Sequence, residues 1–467
     1  MLWPPLWPAG ALAAATGGRL TASFSAAGIS IDTRTLRPDD LFVALAGEHR
    51  DGHEFVADAL ARAAAGALVS RIPAGLSDAA PLLIVPDTLA GLAALGAHAR
   101  ARATARVAAI TGSVGKTTTK EMLRRILSDV GPTHAARASY NNQWGVPLTL
   151  AELPPDAAFA VLEIGTNHAG EILPLAALAR PHVAVITAIA SAHIGYFGSL
   201  EAIAEEKASL LSALEPGGIA ILPANSPFLP RLAAHVPEGC RILTFGEGPD
   251  ADARLLSAAP DATGTNVAAI LFGEAIQLRL AATGRHMAED ALAALAAAVA
   301  LGLAPREAAA SLEGFAALAG RGARTHLQLP GGEAILLDES YNASPAAVAA
   351  ALSVLALGAD GCGGRRLAVL GDMLELGEEA AAAHENLAAS LPQSADLLFA
   401  CGPMMRRLFE RTPVHLRGAY AENSESLAPV VAAAIAPGDV VLVKGSLGSR
   451  MRHVVAALEK IQRPESG

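Results

Sequence analysis

The chain has 467 residues, a formal net charge of −10, and only 17% charged against 52% hydrophobic residues. That length accommodates about three domains. The composition excludes a disordered chain, and the acidic balance excludes the basic face a nucleic-acid partner needs. Aromatic residues make up 4% while alanine dominates the apolar content, which favours packed α/β layers.

Cys240, Cys362 and Cys401 lie far apart with no CxxC spacing. They read as small buried hydrophobes in a reducing compartment, not as a disulfide frame or a zinc site. The first residues, MLWPPLWPAGALAAATGG, are apolar like a signal peptide but lack a basic start, and their prolines break any helix. The apolar run from Ala291 to Ala304 is shorter than the roughly 20 residues that span a bilayer. It follows Glu289 and Asp290, acids suited to a helix N-terminus, and so reads as a core helix. A cytoplasmic monomer with no membrane insertion is expected.

Residues 1–104 alternate short β-like runs (DLFVAL, ALVS, LLIVP) with alanine-rich helical stretches and carry no phosphate loop, which gives a smaller N-terminal α/β domain. Residues 105–313 begin with RVAAIT, run through glycines into a helix from Lys116 to about Ser128, and continue with FAVLEIG, VAVITAI and GIAILPA. Residues 314–467 repeat the rhythm at AILLDES, RLAVLGD, DLLFACG and DVVLVKG and end in a helix near Lys460. The strand–helix alternation predicts a three-domain α/β fold. Its centre is a mainly parallel sheet of phosphate-loop type, followed by a C-terminal α/β domain like a dinucleotide fold. Ligands of such sheets sit beyond the carboxyl ends of the strands. Gly112, Glu163, His193, Asp338 and Lys444 all fall at such ends.

The segment Thr111-Gly112-Ser113-Val114-Gly115-Lys116-Thr117-Thr118 predicts a cradle for a triphosphate. Its glycines let backbone N–H groups approach a polyanion, and the helix that follows adds favourable partial charge. Lys116 would reach the β- and γ-phosphates, and the Thr117 hydroxyl would complete a Mg²⁺ site. The usual first glycine is replaced by Ile110, which leaves a shorter Gly-x-x-Gly-Lys-Thr.

In order along the chain stand Asn141-Asn142-Gln143-Trp144-Gly145-Val146-Pro147, Glu163-Ile164-Gly165, and Ala192-His193-Ile194-Gly195-Tyr196-Phe197-Gly198-Ser199. Gly284-Arg285-His286, Asp338-Glu339-Ser340-Tyr341-Asn342-Ala343-Ser344-Pro345, Gly371-Asp372-Met373-Leu374-Glu375-Leu376-Gly377 and Lys444-Gly445-Ser446 follow. With the N-terminal runs Asp32-Thr33-Arg34, Leu41 to Leu45 and Asp51-Gly52-His53, this set resembles the Mur ligases of peptidoglycan synthesis over nearly the whole chain. DESYNASP and GDMLELG resemble the member that joins D-alanyl-D-alanine to UDP-N-acetylmuramoyl-tripeptide. The resemblance implies an ATP-dependent amide ligase working through an acyl phosphate, with these two substrates.

It also implies roles. Thr111 to Thr118, His286, Arg324 and Asp338 would face ATP, the aspartate at the ribose and the arginine at phosphate. Thr117, Glu163, His193 and Lys207 would hold two Mg²⁺ ions, with Lys207 carbamylated by CO₂; Lys116, His193 and Lys207 would serve catalysis. Asn141 and Asn142 would orient the UDP-sugar. Thr33, Arg34, Asp51 and His53 would lie near its uracil and diphosphate, and Asn342, Ser344 and Lys444 would face the site from the third domain, which must close to exclude water. On residue type alone His193 is a loop histidine and Lys207 an exposed helix lysine after Glu205 and Glu206, while a turn is the competing reading of Asn141 and Asn142, and packing that of Tyr341.

Two departures stand out. Met287 and Asp290 occupy positions where the family has asparagines that help hold adenine, and Ala188 stands where relatives often carry Asn. The other readings are a sibling ligase, one that adds glutamate units to folate, and a nucleotide-binding regulator without catalysis. The joint presence of Glu163, His193 and Lys207 speaks against the regulator.

Overall fold

The computed structural model describes residues 5–47, 50–137, 139–358 and 363–461, so Cys362 lies outside the described residues. Three sheets follow one another along the chain, as the strand–helix rhythm predicts, and give a three-domain α/β fold. The first has five short strands in the order Arg19–Leu20, Leu82–Ile84, Gly66–Val69, Asp40–Val43, Gly28–Ser30, parallel except at the first pair.

The second sheet is built around the strand Arg106–Thr111, which pairs in parallel with Phe159–Glu163 on one side and Val183–Ile186 on the other. All but the first of its residues are buried, as expected where helices cover both faces of a parallel sheet. From this strand the chain passes first to Thr133–Ala135 and Phe159–Glu163, then crosses to Val183–Ile186 and Ile219–Pro223. The winding therefore reverses beside the carboxyl end of Arg106–Thr111, the crevice where open α/β sheets bind ligands.

The sheet is less purely parallel than the sequence suggests. Ala253–Asp261, Gly264–Leu271 and Glu274–Leu280 extend it as antiparallel hairpins. The last turn is only Phe272-Gly273, both with positive φ (50° and 88°), the two-residue geometry that matches strand twist.

Arg285–Ala300 is one helix, and all of its residues from Ala291 to Ala298 are buried. It packs on the phosphate-loop helix Lys116–Ser128. The third sheet runs Ala323–Leu329, Gly332–Glu339, Val440–Lys444, Arg366–Gly371, Leu397–Cys401, Arg417–Ala421, parallel after an initial hairpin. No helix of the described residues is long and apolar enough to cross a membrane.

The apolar N-terminal segment has a structural job. Trp7 is fully buried, and its indole Nε1 donates to the Ala151 carbonyl at 2.9 Å, tying the first sheet to the helix Gly145–Ala151 of the second. Arg102 lies over the indole ring, 4.4 Å from its centroid. Replacing Trp7 by Ala empties this volume and leaves an acceptor unpaired, so it should destabilise the chain by about 3–5 kcal/mol. Denaturant unfolding followed by near-ultraviolet circular dichroism checks this.

Candidate active site

The phosphate loop leaves the strand Arg106–Thr111 under tight constraint. A Cβ on Gly112 would meet the Thr187 hydroxyl, which itself donates to the Val114 carbonyl at 2.5 Å. Ser113 Oγ donates to the Ala190 carbonyl and accepts from the Ala190 N–H, both at 2.9 Å. These bonds pin the loop to the chain that follows the neighbouring strand. Gly115, at φ 83°, takes the left-handed turn that starts the helix. Lys116 Nζ folds back to donate to the Gly112 carbonyl at 2.7 Å and the Ser113 carbonyl at 3.4 Å, an ammonium held across the loop. Burial pushes its pKa down.

Beneath the loop lies Glu163, the last residue of its strand and only 1% exposed. Its Oε2 accepts from Thr117 Oγ1 and its Oε1 from Asn141 Nδ2, both at 2.8 Å. Ser139 Oγ sits 3.3 Å from Thr117 Oγ1 and accepts from Arg321 at 3.1 Å. Among the described residues no three His, Cys, Asp or Glu side chains gather into a metal cage. The Thr117 hydroxyl and Glu163 carboxylate instead offer hard oxygens beside the phosphate loop, the donor set that Mg²⁺ shares with phosphate and water.

Lys207 is not the exposed lysine its neighbours suggest. It is 2% exposed on the helix Leu200–Ala208, and burial, reinforced by the charge of Lys116, holds its pKa well below the usual lysine value. The adjacent Glu206 accepts from the backbone N–H of Gly170 and Ile172, and so fixes the helix. His193 adopts φ 62° and faces the Glu375 carboxylate of the third domain through Nδ1. That pairing holds Glu375 below the ordinary glutamate pKa. Next to it the Gly195 N–H donates to the Glu375 carbonyl at 3.0 Å, and a Cβ on Gly195 would strike the Gly377 backbone.

The two domains enclose one cavity of about 900 Å³. Ser113 to Thr118, Asn141, Glu163, His193 and His286 line it from the second domain, and Asn342, Ser344 and Lys444 from the third. Lys444 donates to Glu339 at 2.9 Å and to the Asn342 carbonyl at 3.1 Å. Ser344 precedes the helix Pro345–Leu357, and its buried hydroxyl makes no hydrogen bond.

Other residues singled out from the sequence stand elsewhere. Thr111 and Gly112 lie behind the lining, and Asn142 Oδ1 accepts from the Gly145 N–H, a turn role. Arg324 donates to the Ala262 carbonyl, and Asp338 accepts from Ser340 and the Gly320 N–H; neither lines the cavity. Arg321, which the sequence reading passed over, occupies the wall instead, its guanidinium 4.2 Å from the centroid of the Tyr341 ring. Arg34 pairs with Asp32, while Asp51 joins His53 and Arg71. With Thr33, these residues belong to the first domain, where His53 is buried, and not to the cavity. Glu375 lay inside a quoted motif, but only the fold shows that it reaches His193.

A phosphate loop at a winding reversal, with a second parallel-sheet domain closing over it, defines a nucleotide-dependent enzyme of two facing α/β units. Comparison with known proteins makes this specific. The Mur ligase middle domain matches residues 110–298, and the Mur ligase glutamate ligase domain matches residues 326–447. A UDP-N-acetylmuramoyl-tripeptide–D-alanyl-D-alanine ligase of Synechocystis is 37% identical over 92% of this chain and 91% of its own. The Escherichia coli protein of that name is 36% identical over 92% and 93%. The crystal structure of MurF from Acinetobacter baumannii superposes with a TM-score of 0.84 at 30% identity, covering 97% of this chain and 99% of that one. MurF from Thermotoga maritima, solved in complex with ADP, gives 0.77 at 26%, covering 93% and 97%. The chain belongs to the Mur ligase family.

Replacing Glu163 by Gln preserves shape but removes the charge beneath the loop. It should lower kcat by about 100-fold or more while leaving metal-free ADP binding within about threefold. Steady-state kinetics with calorimetric ADP titration in a chelator check both halves.

Proposed function

We infer that this chain is an ATP-dependent ligase that joins D-alanyl-D-alanine to UDP-N-acetylmuramoyl-tripeptide, forming ADP and phosphate, in peptidoglycan precursor synthesis. The observation that carries it is the single cavity shared by the phosphate loop, the Thr117–Glu163 pair and Lys444 of the facing domain. The relatives named for this reaction, which match along nearly the full length, support it.

Each step has residues suited to it. A carboxylate cannot form an amide unaided, because its leaving group is poor. In the first step a tripeptide carboxylate oxygen bonds to the γ-phosphorus of ATP as the bond to the ADP oxygen breaks. In the second the dipeptide amine bonds to the acyl carbon, phosphate departs with its electron pair, and the amine gives up a proton. The first step brings two anions together, so alignment and countercharge dominate. Lys116 lies across the loop where the β- and γ-phosphates would sit, and Arg321 adds positive charge from the wall. Thr117 and Glu163 would hold Mg²⁺, which when bound neutralises phosphate charge. A second Mg²⁺ would take His193 and a carbamylated Lys207. Loop-to-domain contacts through Gly195 and Glu375 shield an acyl phosphate from water.

Lys207 suits carbamylation because burial favours its neutral amine over the ammonium. The nitrogen would bond to the carbon of CO₂ and lose a proton, leaving a carboxylate-like anion. We place ATP, the dipeptide and the peptide end of the UDP substrate in the shared cavity. The uridine diphosphate lies toward Thr33, Arg34, Asp51 and His53 of the first domain. Residues 1–104, 105–313 and 314–467 would be the three functional units of a cytoplasmic monomer.

Phosphate release from ATP should require the UDP-tripeptide and D-alanyl-D-alanine together; no release with this pair would sink the assignment. Lys207→Ala should abolish turnover and regain part of it when small carboxylates such as formate or acetate are added. Full activity without them would remove the carbamate.

A further inference from the structure

Asp290, on the helix Arg285–Ala300, lines the cavity beside Glu289 and meets the phosphate loop. A Cβ built on Gly115 would lie 2.1 Å from its Oδ1, so the carboxyl group rests on a glycine of the loop whose N–H groups would receive phosphate. An ionised carboxylate there would repel a polyanion at close range. The groups around it do not offset that repulsion. Glu289 on its own helix adds like charge, and Thr119 on the phosphate-loop helix offers only a neutral hydroxyl. Arg321 alone contributes opposing charge from the domain junction, while Lys116 turns its ammonium to the Gly112 and Ser113 carbonyls.

We propose that Asp290 binds nucleotide as the neutral carboxylic acid, so that ATP and ADP binding at this loop is coupled to retention of one proton on that side chain. In this form the group presents an O–H donor and a C=O acceptor side by side, as a carboxamide does, and the repulsion is gone. Desolvation raises its pKa well above that of an ordinary aspartate, the direction this role requires. The inference rests on the cavity being the ATP site, and it adds a property that asparagine at 290 would lack. No bond other than O–H is made or broken; the proton comes from solvent.

The test is calorimetric titration of ADP into the full chain in a metal chelator between pH 7.5 and 9.5, for wild type and D290N. Lys116 contributes the same pH dependence to both proteins, so their ratio isolates residue 290. The wild-type Kd should rise relative to that of D290N by about tenfold per pH unit once Asp290 ionises in the free protein. Titrations of wild type in two buffers of different ionisation enthalpy should show about one more proton taken up per ADP than D290N at the upper end. Parallel Kd profiles with equal proton uptake overturn the coupling while leaving the ATP site intact. Absence of ADP binding to wild type at every pH overturns the ATP site itself. Should D290N fail to fold, buffer-dependent proton uptake by wild type, with none at the upper pH overturning the proposal, decides alone.

Discussion

A carboxylate buried at the end of a strand governs this site. Glu163 is almost wholly removed from water, and its two partners, Thr117 and Asn141, are neutral donors. Hydrogen bonds of that kind satisfy its oxygens but do not cancel its charge, and an uncompensated buried charge is costly. The countercharge has to come from what surrounds it. Lys116 supplies part from the loop, and the remainder defines a place for a cation between carboxylate, hydroxyl and phosphate. The loop's tight turns at Gly112 and Gly115 follow from the same need, since they bring backbone donors and the Thr117 hydroxyl over one carboxylate.

The third domain completes the arrangement through small contacts. At Gly195 and Gly377 two backbones meet without side chains between them, and the His193–Glu375 pair sits beside that contact. A pair so placed is worth more in orientation than in stability, because Glu375 remains partly exposed and solvent screens it. Its consequence is that the GDMLELG segment of one domain fixes the histidine loop of the other. The two segments that meet at this contact both line the one cavity, so the contact holds its walls in register.

The fold was legible where the signal was local. Buried runs ending in glycine or a charged residue marked the parallel strands, and Glu163 and Lys444 do terminate theirs. The hairpins between 253 and 280 were not legible, because residues of alternating burial resemble a helix face as readily as an edge strand, and the Phe272-Gly273 turn carries only one of the usual turn residues. The phosphate loop and Glu163 could be read from the chain. Arg321, Glu375 and the burial of Lys207 could not, since each depends on a neighbour from a distant segment. Lys207 is the sharpest case: two preceding glutamates suggest a solvated helix face, yet Glu206 spends its carboxylate on the Gly170 and Ile172 amides and the lysine turns inward.

The alanine content that first described the chain also bears on its chemistry. Arg285–Ala300 can lie close against Lys116–Ser128 because methyl groups keep the interaxial distance short, and shape matching at that contact tolerates little added volume. Close approach is what lets a short side chain at 290 touch Gly115. With bulkier residues on the helix, the same aspartate would stand off the loop, with less of the desolvation that raises its pKa. Met287, 2% exposed one turn earlier, is packed into the core that this helix shares with Lys116–Ser128. The packing of a plain core helix thereby sets the electrostatic character of the nucleotide loop it supports.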